Sequence, residues 1–98
     1  MWIKYKDGSD IGTIGSEGGE IITDEEYKNL CHITLEKCID RYAITCGIYG
    51  AMVHTAFCDS ENPYEKYEAM KKELADFIDR DTSESEEYEF YQRFTAKF

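Results

Sequence analysis

Cys31-His32-Ile33-Thr34-Leu35-Glu36 carries the clearest alternation in the chain, with Ile33 and Leu35 on one face and His32, Thr34 and Glu36 on the other. A period of two is the signature of a strand with one face on a core. The next apolar stretch, Arg41 to Cys58, reads as a β-hairpin over 41–58 with Gly47-Ile48-Tyr49-Gly50 as its loop. Glycines at both ends of that loop accept positive φ. Pairing Cys46 with Ala51 puts Tyr42, Ile44, Cys46, Ala51, Val53, Thr55 and Phe57 on one side of the hairpin. Ala43, Thr45, Met52, His54, Ala56 and Cys58 take the other, which is only weakly polar, so a central hairpin covered on both sides is expected.

Shorter strands precede these. Trp2-Ile3-Lys4-Tyr5-Lys6 reads as a strand ended by the turn-forming Asp7-Gly8-Ser9-Asp10, and Ile11-Gly12-Thr13-Ile14 as a second short strand or strand edge. After the turn Ser16-Glu17-Gly18-Gly19, a strand starts at Glu20. Asp24 to Tyr27 extends it or forms one helical turn capped by Thr23, and the strand is the preferred reading.

Downstream of the hairpin the period changes from two to 3.6. Asn62 suits an N-cap and Pro63 the first helical position; Tyr67, Met70, Leu74, Phe77 and Ile78 then form one stripe of a helix running to about Asp79. Tyr88, Tyr91, Phe94 and Phe98 continue at helical spacing, with an acidic start and a basic end that suit the helix dipole. Tyr88, Phe90, Phe94 and Phe98 would serve an edge strand almost as well, so residues 84–98 are open between the two. The expected fold is therefore α+β: a mostly antiparallel sheet with C-terminal helices packed on it, in a single domain spanning 1–98.

Composition narrows the function. Acids outnumber bases 21 to 11 in 98 residues, for a formal charge of −10. Twelve of the acids lie in residues 59–89, where the local net charge is −8. Such a field repels nucleic acid and anionic membrane and draws in basic surfaces. No apolar run approaches the ~18 residues of a membrane span, and the polar N-terminus is unlike a secretory signal. The four cysteines, Cys31, Cys38, Cys46 and Cys58, then read as reduced thiols of a cytoplasmic protein.

Residues with chemical capacity are present but do not form a known pattern. Gly12, Gly15, Gly18 and Gly19 invite comparison with a phosphate loop, but Glu17 and Glu20 would repel phosphate, and tight turns explain the glycines better. The cysteines, His32 and His54 show no zinc-site spacing, so no metal and no cofactor is expected. In the proposed hairpin register Cys46 and His54 face opposite sides of the sheet, which argues against a thiol nucleophile. Asp24, Glu25 and Glu26, with no calcium-loop pattern around them, read as a carboxylate patch. The candidate partner-binding set is Asp24, Glu25, Glu26, Tyr49, Asp59, Glu61, Tyr64, Glu84, Glu86 and Glu87, tyrosine beside carboxylate being a common make-up for a protein-binding surface.

Ile33-Thr34-Leu35-Glu36-Lys37 followed by Tyr42-Ala43-Ile44-Thr45-Cys46-Gly47-Ile48-Tyr49-Gly50-Ala51-Met52-Val53-His54-Thr55 resembles a family of small, free-standing bacterial proteins. Compact acidic proteins of this kind serve as immunity proteins in polymorphic-toxin and contact-dependent inhibition systems. The likeness extends over roughly residues 10 to 80 and rests on overall pattern, with no diagnostic motif. It implies a cytoplasmic, non-enzymatic protein that binds and blocks a cognate toxin; the acidic charge, which disfavours contact with nucleic acid or membrane, points to a basic partner such as a nuclease with a basic cleft. The rival readings are a small metal- or thiol-dependent enzyme built around His54 and Tyr49, and a regulatory subunit that associates with itself.

Overall fold

The computed structural model describes residues 1–59 and 61–98. Five strands follow one another: β1 (Trp2–Lys4), β2 (Glu20–Tyr27), β3 (Cys31–Lys37), β4 (Tyr42–Ile48) and β5 (Met52–Cys58). Each pairs antiparallel with its chain neighbour, so sheet order equals chain order. Two helices complete the chain, α1 (Tyr64–Asp79) and α2 (Glu84–Lys97). The architecture is α+β, as the periodicities require. The hairpin forms, but β5 is an edge strand, so the hairpin ends the sheet and is not central to it.

The helices cover one face only. Cys31, Ile33 and Leu35 of β3 join Ile44, Cys46 and Ile48 of β4, Met52 and Ala56 of β5, and Tyr67, Met70, Leu74, Phe77, Phe90 and Phe94 of the helices in one core. The helices meet through a stack of Phe77 on Phe90, with centroids 4.1 Å apart and planes 9° from parallel. At roughly 1.5–3 kcal/mol for each large apolar side chain removed from water, this cluster is the main stabilising term. Polar clamps fix α1 on the sheet. Lys71 of α1 contacts both oxygens of Glu25 at 3.0 Å, and the Tyr67 hydroxyl donates to Glu25 at 2.8 Å. Asp79, at the end of α1, accepts from Lys28 at 2.6 Å and from Tyr27 at 2.7 Å, and these bonds hold its carboxyl below the usual range.

The hairpin register differs from the expected one. Cys46 faces His54, not Ala51, and Ile48 faces Met52 around a short turn with Gly50 at φ 75°. The shift is three residues, an odd number, so every β5 side chain lies on the sheet face opposite to that expected. Ladder pairing explains it: β4 must reach Ile48 to match Cys31 of β3, which keeps Gly47 inside the strand opposite His32 and Val53. Cys46 and His54 therefore share the helix-covered side, with the His54 ring edge-on to Phe94. The expected double coverage fails as well, since Val53 on the other face is 80% exposed.

Other local readings divide similarly. Asp24 to Tyr27 does extend the strand. The first strand stops at Lys4, and Tyr5–Gly8 forms a tight turn with Lys6 and Asp7 at positive φ. Ile11 to Ile14 is not a strand; it contributes one bridge, Ile14 to Glu20, because Gly12 turns at φ 90° and donates to the Ile21 carbonyl. The helix α1 starts one residue later than expected: Pro63, already at helical angles, is its N-cap with no side-chain cap bond, and Asn62 just before it accepts from the Tyr64 amide at 3.2 Å. Residues 84–97 are helical, started by a capping box in which Ser83 and Glu86 bond reciprocally. The buried stripe of α2 runs through Phe90 and Phe94, while Tyr88 is 63% exposed. No helix among the described residues is long and apolar enough to cross a membrane.

This packing predicts that Phe94→Ala costs about 3–5 kcal/mol in denaturant unfolding, while Tyr88→Ala changes stability by less than about 0.5 kcal/mol.

Candidate functional site

Opposite the helices, the second face of β3 presents His32, Thr34 and Glu36 at alternate positions, and β2 places Asp24 directly beside Thr34. Asp24 is 2% exposed and Glu36 1% exposed, which is unusual for carboxylates on a face without helices. Two devices account for their burial. Asp24 is bonded to His32 Nε2, and the Thr34 hydroxyl donates to the same oxygen at 2.9 Å. A carboxylate accepts only, so the Nε2 carries the proton in this pair. Tyr5 then stacks on His32, with centroids 4.0 Å apart, and shields the group from above.

Glu36 is enclosed by the glycine loop. The backbone amides of Glu17 and Gly19 donate to its Oε1 at 3.1 and 3.2 Å. A Cβ on Gly15 would lie 2.4 Å from the Glu36 carboxyl carbon, and one on Gly19 would lie 2.8 Å from both Cys38 Sγ and the Lys37 carbonyl oxygen. Only glycine lets the loop come this close. The tight-turn reading of these glycines is correct, and their role goes further: the loop amides hold an anion, which is the protein's own Glu36. Among the described residues, Glu36 Oε2 is buried with no hydrogen-bond partner.

Between this floor and the β4–β5 turn lies a cavity of about 660 Å³. Asp24, His32, Thr34, Glu36 and Thr45 contribute its polar lining, Asp10 adds a third carboxylate, and Val53, which shares the open face with Gly47 and His32, adds apolar wall beside the β4–β5 turn. Among the described residues, no lysine or arginine lines it. Tyr49, in the turn, donates to Glu26 on the same sheet face, and burial together with this bond pushes its hydroxyl pKa far up.

Of the residues singled out from sequence, Asp24, Glu26 and Tyr49 thus gather on this face. Glu25 points the other way, into its clamp with Lys71 and Tyr67. Asp59 and Glu61 are exposed between β5 and α1, and Tyr64 is half exposed at the start of α1. Glu84, Glu86 and Glu87 occupy the first turn of α2, where Glu86 serves the cap. The helices cover the opposite side of the sheet, so the set forms at least two separate acidic areas. Thr34 and Glu36 carry no signal in the sequence beyond a strand's polar face, and His32 none beyond that and a zinc-site spacing that does not hold.

The thiols offer little chemistry. All four are free. Burial pushes the Cys31 thiol up to about 11 and the Cys46 thiol up to about 12. Cys46 therefore stays protonated although His54 faces it across the strand pair, and it lacks the thiolate a nucleophile needs. Among the described residues, no three His, Cys, Asp or Glu side chains are grouped so as to hold a metal ion.

No family model matches the chain, and neither a curated protein nor a solved structure does.

Two outcomes follow from this geometry. With a thiol-reactive dye at pH 8, Cys38 and Cys58 react in the folded protein, and Cys31 and Cys46 only on unfolding; rapid reaction of Cys46 would contradict its burial. Gly15→Ala should cost about 1–3 kcal/mol in the native background and distinctly less in a Glu36→Ala background, because the clashing carboxyl is gone.

Proposed function

We propose that this protein is a non-enzymatic binding module that captures and neutralises a basic protein, in the manner of a bacterial immunity protein. The observation that carries this reading is the cavity face itself: three carboxylates line it, and no lysine or arginine among the described residues offsets them. The whole chain carries −10, so a cationic partner is attracted from a distance before it docks. A toxin nuclease, whose cleft must be basic to hold phosphate, has the complementary charge. Four reduced thiols suit a cytoplasmic site of action. The rival thiol-enzyme reading is weakened by the protonated, buried Cys46. Self-association retains one support, the open edge of β5 with Val53 and Phe57 exposed.

The test is capture and protection using the products of the reading frames adjacent to this one. A basic toxin among them should bind this protein and lose its toxicity on co-expression. Its association rate should fall on the order of tenfold as added salt shortens the screening length from about 30 Å to about 8 Å. Binding indifferent to salt, no partner among those products, or a stable homodimer in sedimentation would contradict the proposal.

A further inference from the structure

We propose that the cavity on the open sheet face receives one alkyl cation, the lysine or arginine side chain of a protein partner. The choice of a protein as the source rests on the function proposed above; the cavity's preference for an alkyl cation stands on its own geometry. Glu36 is 1% exposed, lines the cavity, and has one oxygen satisfied by the Glu17 and Gly19 amides and the other with no partner among the described residues. A buried acceptor without a donor is a standing cost to the fold, relieved when a ligand brings the missing N–H.

The surroundings select which ligand that is. Asp24 and Glu36 are both buried at the cavity, with Asp10 also lining it; His32 pairs with Asp24, and no lysine or arginine among the described residues lines the cavity to balance Glu36. An anion is repelled, and a wholly apolar ligand leaves Glu36 unsatisfied. A metal ion lacks a grouped set of ligands among the described residues. Val53, with the Gly47 backbone beside it, supplies apolar wall on the side of the β4–β5 turn. An aliphatic stem along that wall with a charged nitrogen at its end meets both kinds of surface, as long basic side chains do. Tyr49 is half exposed in the same turn, where a partner's backbone would rest.

The direct test is a titration of the isotopically labelled full chain, followed by amide chemical shifts. The probes are N-acetyl-arginine methylamide, N-acetyl-lysine methylamide, the uncharged N-acetyl-norleucine methylamide, and free butylguanidinium. Both charged amino-acid probes should shift the amides of Thr34, Thr45, Gly47 and Val53, and norleucine should not. Glu36→Gln keeps the acceptor for the loop amides and removes the charge, so it should weaken binding by about tenfold or more. Asp24→Asn provides a second variant should the first fold poorly, and Glu84→Gln on α2 should leave binding unchanged.

Equal shifts with norleucine, shifts spread over the helices, or binding unaffected by both cavity variants would overturn the site. Much tighter binding of butylguanidinium than of capped arginine would overturn the protein source in favour of a free small-molecule alkyl cation. Capture of a toxin without probe binding removes this site and leaves the proposed function. Probe binding without any captured partner does the reverse.

Discussion

The two-faced strand β3 is the constraint on which the rest depends. Cys31, Ile33 and Leu35 are buried under the helices, while His32, Thr34 and Glu36 build the floor of the cavity on the other side. Core and candidate site are thus alternate residues of one seven-residue segment. A slip by one position would bury the polar set under the helices and strip the core, so both faces enforce the same register. Neighbouring strands inherit it through the ladder, which is why Asp24 meets Thr34 and Gly47 lies across from His32.

The open face is built up from this starting point by an unusual use of a glycine loop. Loops rich in glycine present backbone amides to anions. Here the anion belongs to the same chain, and the loop folds back on Glu36 at a distance that a Cβ at Gly15 would forbid. The loop closes one end of a cavity whose carboxylates are kept from bulk water. In such surroundings a charge acts more strongly on a ligand than the same charge on α1 or α2, where solvent screens it. This is the physical basis on which we propose a specific place for a cation within a generally acidic surface.

Much of the fold was legible from periodicity. The alternation at 31–36 and the apolar stripe of α1 are local signals, and both elements formed. The hairpin register was not local: glycines at Gly47 and Gly50 allow more than one turn, and the choice is made by β3, an element outside the hairpin. For the last segment the deciding signal was present but unused, since Ser83 followed three residues later by Glu86 is a helix start. The site was less legible still. A glutamate alternating with histidine and threonine has the pattern of a solvent face, and nothing in that spacing says that a loop some twenty residues earlier covers it (the Glu17–Glu36 bond spans 19 residues). The nearest clue is the clustering of Gly15, Gly18 and Gly19, which signals tight turns but not which anion their loop amides face.

Hydrogen exchange at the Glu17 and Gly19 amides tests most directly whether Glu36 organises the open face. In the native protein both should be protected well beyond exposed loop amides, and Glu36→Ala should release both while leaving the amides of β3 and β4 slow. Fast exchange at both positions in the native chain, or protection that survives Glu36→Ala, would contradict the account.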